Sequence, residues 1–90
     1  MISWGFAFGY SDLVTIGVNF PKPSIYIYVA GTLGDIVYLN SNGIPQFFPG
    51  ALAGGIYPIA ASQIVASAVV NGTTRTTTAT NLVYCSTGIP

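Results

Sequence analysis

The amino-acid sequence predicts an all-β fold, a small antiparallel β-sandwich or barrel-like roll of about seven or eight short strands. Three observations predict it. Large apolar residues recur at every second position over several short stretches, the period of a strand with one face buried. Gly, Pro, Asn and Asp punctuate the chain every few residues and leave no room for long elements. No stretch of useful length carries the repeat of an amphipathic helix, although residues 51–61 are small and apolar enough to be ambiguous.

The elements follow in order. Residues 2–11, ISWGFAFGYS, set Ile2, Trp4, Phe6, Phe8 and Tyr10 against Ser3, Gly5, Ala7, Gly9 and Ser11. The large face can fill a hydrophobic layer, and the small face lets another backbone come close. This segment reads either as the first core strand or as an arm laid on a neighbouring subunit. Residues 12–20 place Val14, Ile16, Val18 and Phe20 on one face of an expected strand. Pro21-Lys22-Pro23 ends it, because proline lacks the ladder donor and biases its neighbour toward extended or turn geometry. The expected organisation is one β-domain, 1–90, with 1–20 an N-terminal strand or assembly arm and 24–85 the body.

Within the body, residues 24–31 alternate Ile25, Ile27 and Val29 with Tyr26, Tyr28 and Ala30. A turn over 31–35 carries Gly31, Gly34 and Asp35, and a strand over 35–40 leads to the turn Asn40-Ser41-Asn42-Gly43. Residues 44–48 return as a short strand whose Pro45 marks an edge or a bulge. Residues 49–55, with Gly50, form a loop; 56–60, containing Pro58, and 63–70 are strands. Residues 71–79, NGTTRTTTA, with Gly72, read as a polar tip, its β-branched threonines suited to an exposed hairpin limb. Residues 80–85 close the sheet.

Composition narrows the function. Only 4% of the 90 residues are charged, against about 25% in an ordinary domain. Two cations and two anions give a formal net charge of zero, and 51% of the chain is hydrophobic. Lys22 and Arg75 cannot supply the basic face that nucleic acid or an anionic membrane requires. The apolar content argues against disorder. A surface so poor in charge favours association, so the chain is expected to live against copies of itself or a larger assembly. The aromatics expected at that interface are Trp4, Phe6, Phe8, Tyr10, Tyr26, Tyr28, Phe47 and Phe48. Each contributes about 1.5–3 kcal/mol when fully buried.

Residues 51–70 are uncharged and of membrane-spanning length, yet Gly54, Gly55, Pro58 and Gln63 interrupt them, so they read as two strands with a bend. No signal peptide is expected, because no Lys or Arg precedes Lys22 and Asp12 breaks the apolar run.

No catalytic, cofactor-binding or metal-binding residue emerges, and no enzymatic activity is expected. The chain has no His, so the commonest general acid–base group is missing. Nothing in the spacing of Asp12 and Asp35 brings them together as a carboxylate pair. Asp35 follows Gly34 in a turn, where a carboxylate accepts from nearby backbone donors. Cys85 has neither a disulfide partner nor a His, and is expected to be a small buried residue. Asn71-Gly72-Thr73 matches a glycosylation sequon but is first of all a turn.

The order of features over residues 27–85 is informative as a whole. Tyr28, Val29, Gly31, Gly34 and Asp35 form a Y-V-x-G-x-x-G-D strand-turn. Gly50 follows in a glycine-rich loop, then Pro58-Ile59, the tip Gly72-Thr73, and the closing Ala79-Thr80-Asn81-Leu82-Val83. This succession resembles small all-β virion proteins of tailed bacteriophages and phage-derived particles, of the head decoration, cement or head-spike-base type. Proteins of that kind carry basic residues in the strand after the proline motif, where this chain has QIVASAVV. The resemblance implies a homo-oligomer, often a trimer, made in the host cytoplasm and seated on the outer capsid surface. Its partner there would be the major capsid protein or another virion protein, with neither nucleic acid nor membrane as partner. Two other readings are a tail- or fibre-associated β-domain and a small carbohydrate- or receptor-binding module. In the last, Tyr26, Tyr28 and Tyr38 would stack on sugars.

Overall fold

The computed structural model of the protein describes residues 10–86, and of Tyr10 the backbone only. The described residues contain no helix and form nine strands: β1 (Tyr10–Leu13), β2 (Tyr26–Val29), β3 (Gly34–Leu39), β4 (Pro45–Ala51), β5 (Ile56–Tyr57), β6 (Gln63–Ile64), β7 (Ser67–Val70), β8 (Thr73–Thr76) and β9 (Leu82–Ser86). All pairs are antiparallel. They make a four-stranded sheet in the order β1-β9-β2-β5, a three-stranded sheet β4-β3-β6, and the hairpin β7-β8. The fold is all-β, as the alternation predicts.

The period-two pattern becomes the core directly. Ile27 and Val29 of β2 and Leu82 and Tyr84 of β9 face inward from the first sheet. Ile36, Ala51 and Ile64 meet them from the second, with Ile59, Ala61 and Ala79 supplied by connecting segments. Strand β9 lies between β1 and β2 and is buried along its whole length. Val83 and Cys85, on its opposite face, have no exposure at all. Burial pushes the Cys85 thiol pKa above its ordinary value, because an apolar site disfavours the thiolate. The hairpin β7-β8 adds a third layer against β3 and β4. It covers the side of the second sheet that carries the cross-strand pair Val37 and Phe47, and the Arg75 guanidinium lies over the Phe47 ring, 4.7 Å from its centroid.

Three sequence expectations change. The strand expected over 12–20 stops at Leu13. A turn at Ile16-Gly17, with Gly17 at φ +82°, breaks the alternation, and Ile16 and Val18 are exposed while Val14 and Phe20 pack on the core. The segment crosses between sheets: the Val14 amide donates to the Leu82 carbonyl, then those of Gly17 and Phe20 to the Ile64 and Ser62 carbonyls. Phe20 stacks on Tyr84 at 4.2 Å. Strand β4 runs on to Ala51, through part of the expected loop, because a bulge opposite Asp35 absorbs Pro49 and Gly50. Pro45 opens that edge strand, where its missing donor costs no ladder bond. The strand expected over 63–70 splits in two, β6 pairing with β3 and β7 with β8. Residues 51–70 therefore contribute to four strands, and no helix of the described residues is long and apolar enough to cross a membrane.

Candidate assembly surface

The register of the first sheet gathers uncharged side chains on its outer face, the one turned from the core, which is covered at its centre and exposed at its margins. Residues directly opposite each other in an antiparallel ladder share a face. Tyr26 pairs with Cys85, Tyr28 with Val83, Leu13 with Val83, Ser11 with Cys85 and Ile56 with Tyr28. All lie on the side opposite Ile27, Val29, Leu82 and Tyr84. Val83 and Cys85 are its buried centre, Tyr26 and Tyr28 are half-buried, and Leu13 and Ile56 stand at its margins, 47% and 40% exposed. Asp12, the charged residue of β1, pairs with Tyr84 and so occupies the other face.

The aromatic residues expected at an interface are distributed as follows. Trp4, Phe6 and Phe8 lie outside the described residues, and Tyr10 is placed only by its backbone, in register with Ser86. Tyr26 and Tyr28 belong to the outer face. Phe47 and Phe48 alternate to opposite sides of β4: Phe48 packs on the core with its ring 4.9 Å from Tyr57, and Phe47 lies under Arg75. Tyr38 packs against the core from the second sheet, so Tyr26, Tyr28 and Tyr38 do not form one stacking platform.

Among the described residues the most exposed apolar groups are aliphatic. Leu33 and Leu52 are 63% and 61% exposed and flank the Gly34–Ala51 pair at one end of the second sheet. Aromatic counting missed them. The available signal was a leucine set among glycines and small residues, as in Thr32-Leu33-Gly34 and Ala51-Leu52-Ala53-Gly54, where no neighbour is large enough to cover it.

The turn residues hold one seam. Residues 30–35 run alongside 77–81, and the two segments are joined by backbone bonds and by threonine hydroxyls. The Asp35 amide donates to Thr78 Oγ1 at 2.8 Å, and the Asp35 carbonyl accepts from the Thr78 and Ala79 amides. Its carboxylate accepts from the Gly50 amide at 2.9 Å and so pins the β4 bulge. Thr80 Oγ1 accepts from the Thr32 amide, and Thr77 Oγ1 donates to the Val65 carbonyl at 2.7 Å while accepting from the Val37 amide. The approach is close enough that a Cβ on Gly34 would lie 2.5 Å from the Ala79 nitrogen, and one on Gly31 would meet Thr80. Gly43 and Gly72 sit in hairpin turns with positive φ, and Pro58 follows β5 on the surface. Asp12 and Asp35 belong to different sheets. Among the described residues no group of three or more His, Cys, Asp or Glu side chains could hold a metal ion.

No protein-family model matches the chain, and no curated protein matches it. Among solved structures it is similar to a chain described as the capsid of a native GTA particle, computed with C5 symmetry. The two chains share a fold. The likeness has a TM-score of 0.59 at 18% identity and spans 94% of this chain and 90% of that one.

Proposed function

We propose that this chain is a structural, non-enzymatic component of a phage-like capsid. In its finer form the proposal is a decoration, cement or head-spike-base protein that oligomerises, as a trimer, on the outer capsid surface. The observation that supports it best is the end-to-end likeness to a chain of the GTA particle capsid, 94% of one matched to 90% of the other. The motif order over residues 27–85 points the same way. The exposed aliphatic groups Leu13 and Ile56 at the margins of the first sheet, with Leu33 and Leu52 at one end of the second, are suited to the role, since apolar side chains without charges lose little when water is removed from them. A trimer would set three such footprints on a shell together, so modest contacts multiply.

The test is sedimentation of the purified full chain, alone and with assembled shells of its parent particle, followed by imaging of the mixture. A discrete oligomer and co-sedimentation are expected. Leu13→Lys and Ile56→Lys, both at exposed margins, are expected to keep the fold and to lose shell binding. A monomer that leaves shells unbound overturns the proposal.

A further inference from the structure

The chain has two Asn-Gly pairs at hairpin tips, and the fold treats them differently. Asn42-Gly43 lies between β3 and β4 in a turn closed from several sides. The Gly43 amide donates to the Asn40 carbonyl at 2.9 Å, and Asn40 Oδ1 accepts from the Asn42 and Ile44 amides at 2.9 and 3.0 Å. Gly43 has φ +77° and the Asn40 amide donates to the Ile44 carbonyl, the form of a type I turn followed by a bulge. Asn71-Gly72 is a bare two-residue loop between the paired Val70 and Thr73. Its φ values of 52° and 81° mark a type I′ turn. Both residues are exposed, and among the described residues the Gly72 amide has no acceptor.

That difference bears on one reaction. Asparagine deamidates when the next residue's backbone nitrogen attacks the side-chain carbonyl carbon, and glycine hinders the attack least because it has no Cβ. An amide hydrogen-bonded to a carbonyl is a poorer nucleophile, since it must give up that bond and its proton. We infer that Asn71 is a site of spontaneous deamidation and that the turn protects Asn42. Solvent base takes the Gly72 amide proton and the nitrogen bonds to Asn71 Cγ. The Cγ–Nδ2 bond then breaks and ammonia leaves, closing a five-membered succinimide. Water opens the ring at either carbonyl, leaving aspartate or isoaspartate at position 71, with no change of oxidation state.

The product matters because charge is so scarce. The new carboxylate stands at the rim of a depression of about 260 Å³ that Arg75, Phe47 and Gln46 also line. It shifts a chain of two cations and two anions from neutral to a net charge of −1. The inference does not depend on the capsid reading.

The test incubates the folded full chain at mildly alkaline pH and follows both sites by peptide mass spectrometry. Chymotryptic cleavage after Tyr38 and Phe47 separates Asn42 from Asn71. Asn71 is expected to convert about five- to tenfold faster than Asn42, the factor that one net hydrogen bond represents. In denaturant the two rates are expected to converge. Asn40→Ala keeps the carbonyl that holds the Gly43 amide but removes the acceptor of the Asn42 and Ile44 amides; by loosening the turn it is expected to accelerate Asn42 and leave Asn71 unchanged. Equal rates in the folded protein, faster loss at Asn42, or conversion of Asn71 only after unfolding would each overturn the inference.

Discussion

Strands β8 and β9 are neighbours in sequence and opposites in environment. All four residues of β8 are exposed, and all five of β9 are buried. β8 is half of a two-stranded hairpin; β9 is held between β1 and β2 and buried on both faces. Between them lie residues 77–81, which carry the chain from the hairpin layer across to the first sheet by hydrogen-bonding along residues 30–35. Position in the sheet stack, and not β-propensity, sets what each residue contributes, since both strands are rich in β-branched or aromatic side chains.

That contrast can be broken at graded points. The largest effect is expected in β9, where Leu82→Ala should cost about 3 kcal/mol by opening a cavity between the sheets, read as a lowered urea midpoint at unchanged slope. In the seam, Gly34→Ala is expected to cost about 2 kcal/mol, because its methyl group would have to displace the Ala79 backbone, a fixed neighbour, before the segments could close. A smaller loss, of about 1–2 kcal/mol, is expected for Thr77→Val, which keeps the shape and strands the Val65 carbonyl and Val37 amide without their partner. Thr74→Val on β8 closes the series within about 0.5 kcal/mol of zero, since the residue is exposed. Equal costs for Thr77→Val and Thr74→Val would erase the distinction between seam and hairpin.

Much of this was legible beforehand. Alternation set Ile27 and Val29 on one face of a strand and Tyr26 and Tyr28 on the other, and the Asn-Gly pair put residues 71–72 in a turn, because each depends on residues adjacent in sequence. The threonine run was legible only in half. Thr73, Thr74 and Thr76 form the exposed limb that β-branched polar residues suggest, but Thr77 and Thr78 put the same side chain to a different use. Nothing local separates them, because their partners, Val37, Val65 and Asp35, are brought there by the packing of other strands. The candidate surface divides in the same way. Phe47 and Phe48 read as a pair and point to opposite sides of one strand, while Leu33 and Leu52, far apart in sequence, flank one strand pair.

The sequence by itself determined the class of the fold, the division of β2 into two faces, the hairpin turns, and a chain with four charges in all. These follow from short-range sterics and from composition, which need no knowledge of distant neighbours. Only the tertiary structure decided that β9 is buried on both faces, that 12–20 bends away after Leu13, that 63–70 divides, and that Leu13 and Ile56 rim the same outer face as Tyr26 and Tyr28. Those depend on which strands lie side by side. The free energy of that choice comes from apolar area buried between residues up to seventy positions apart, Leu13 against Val83 among them, and an area summed across the chain is not written in any one stretch of it.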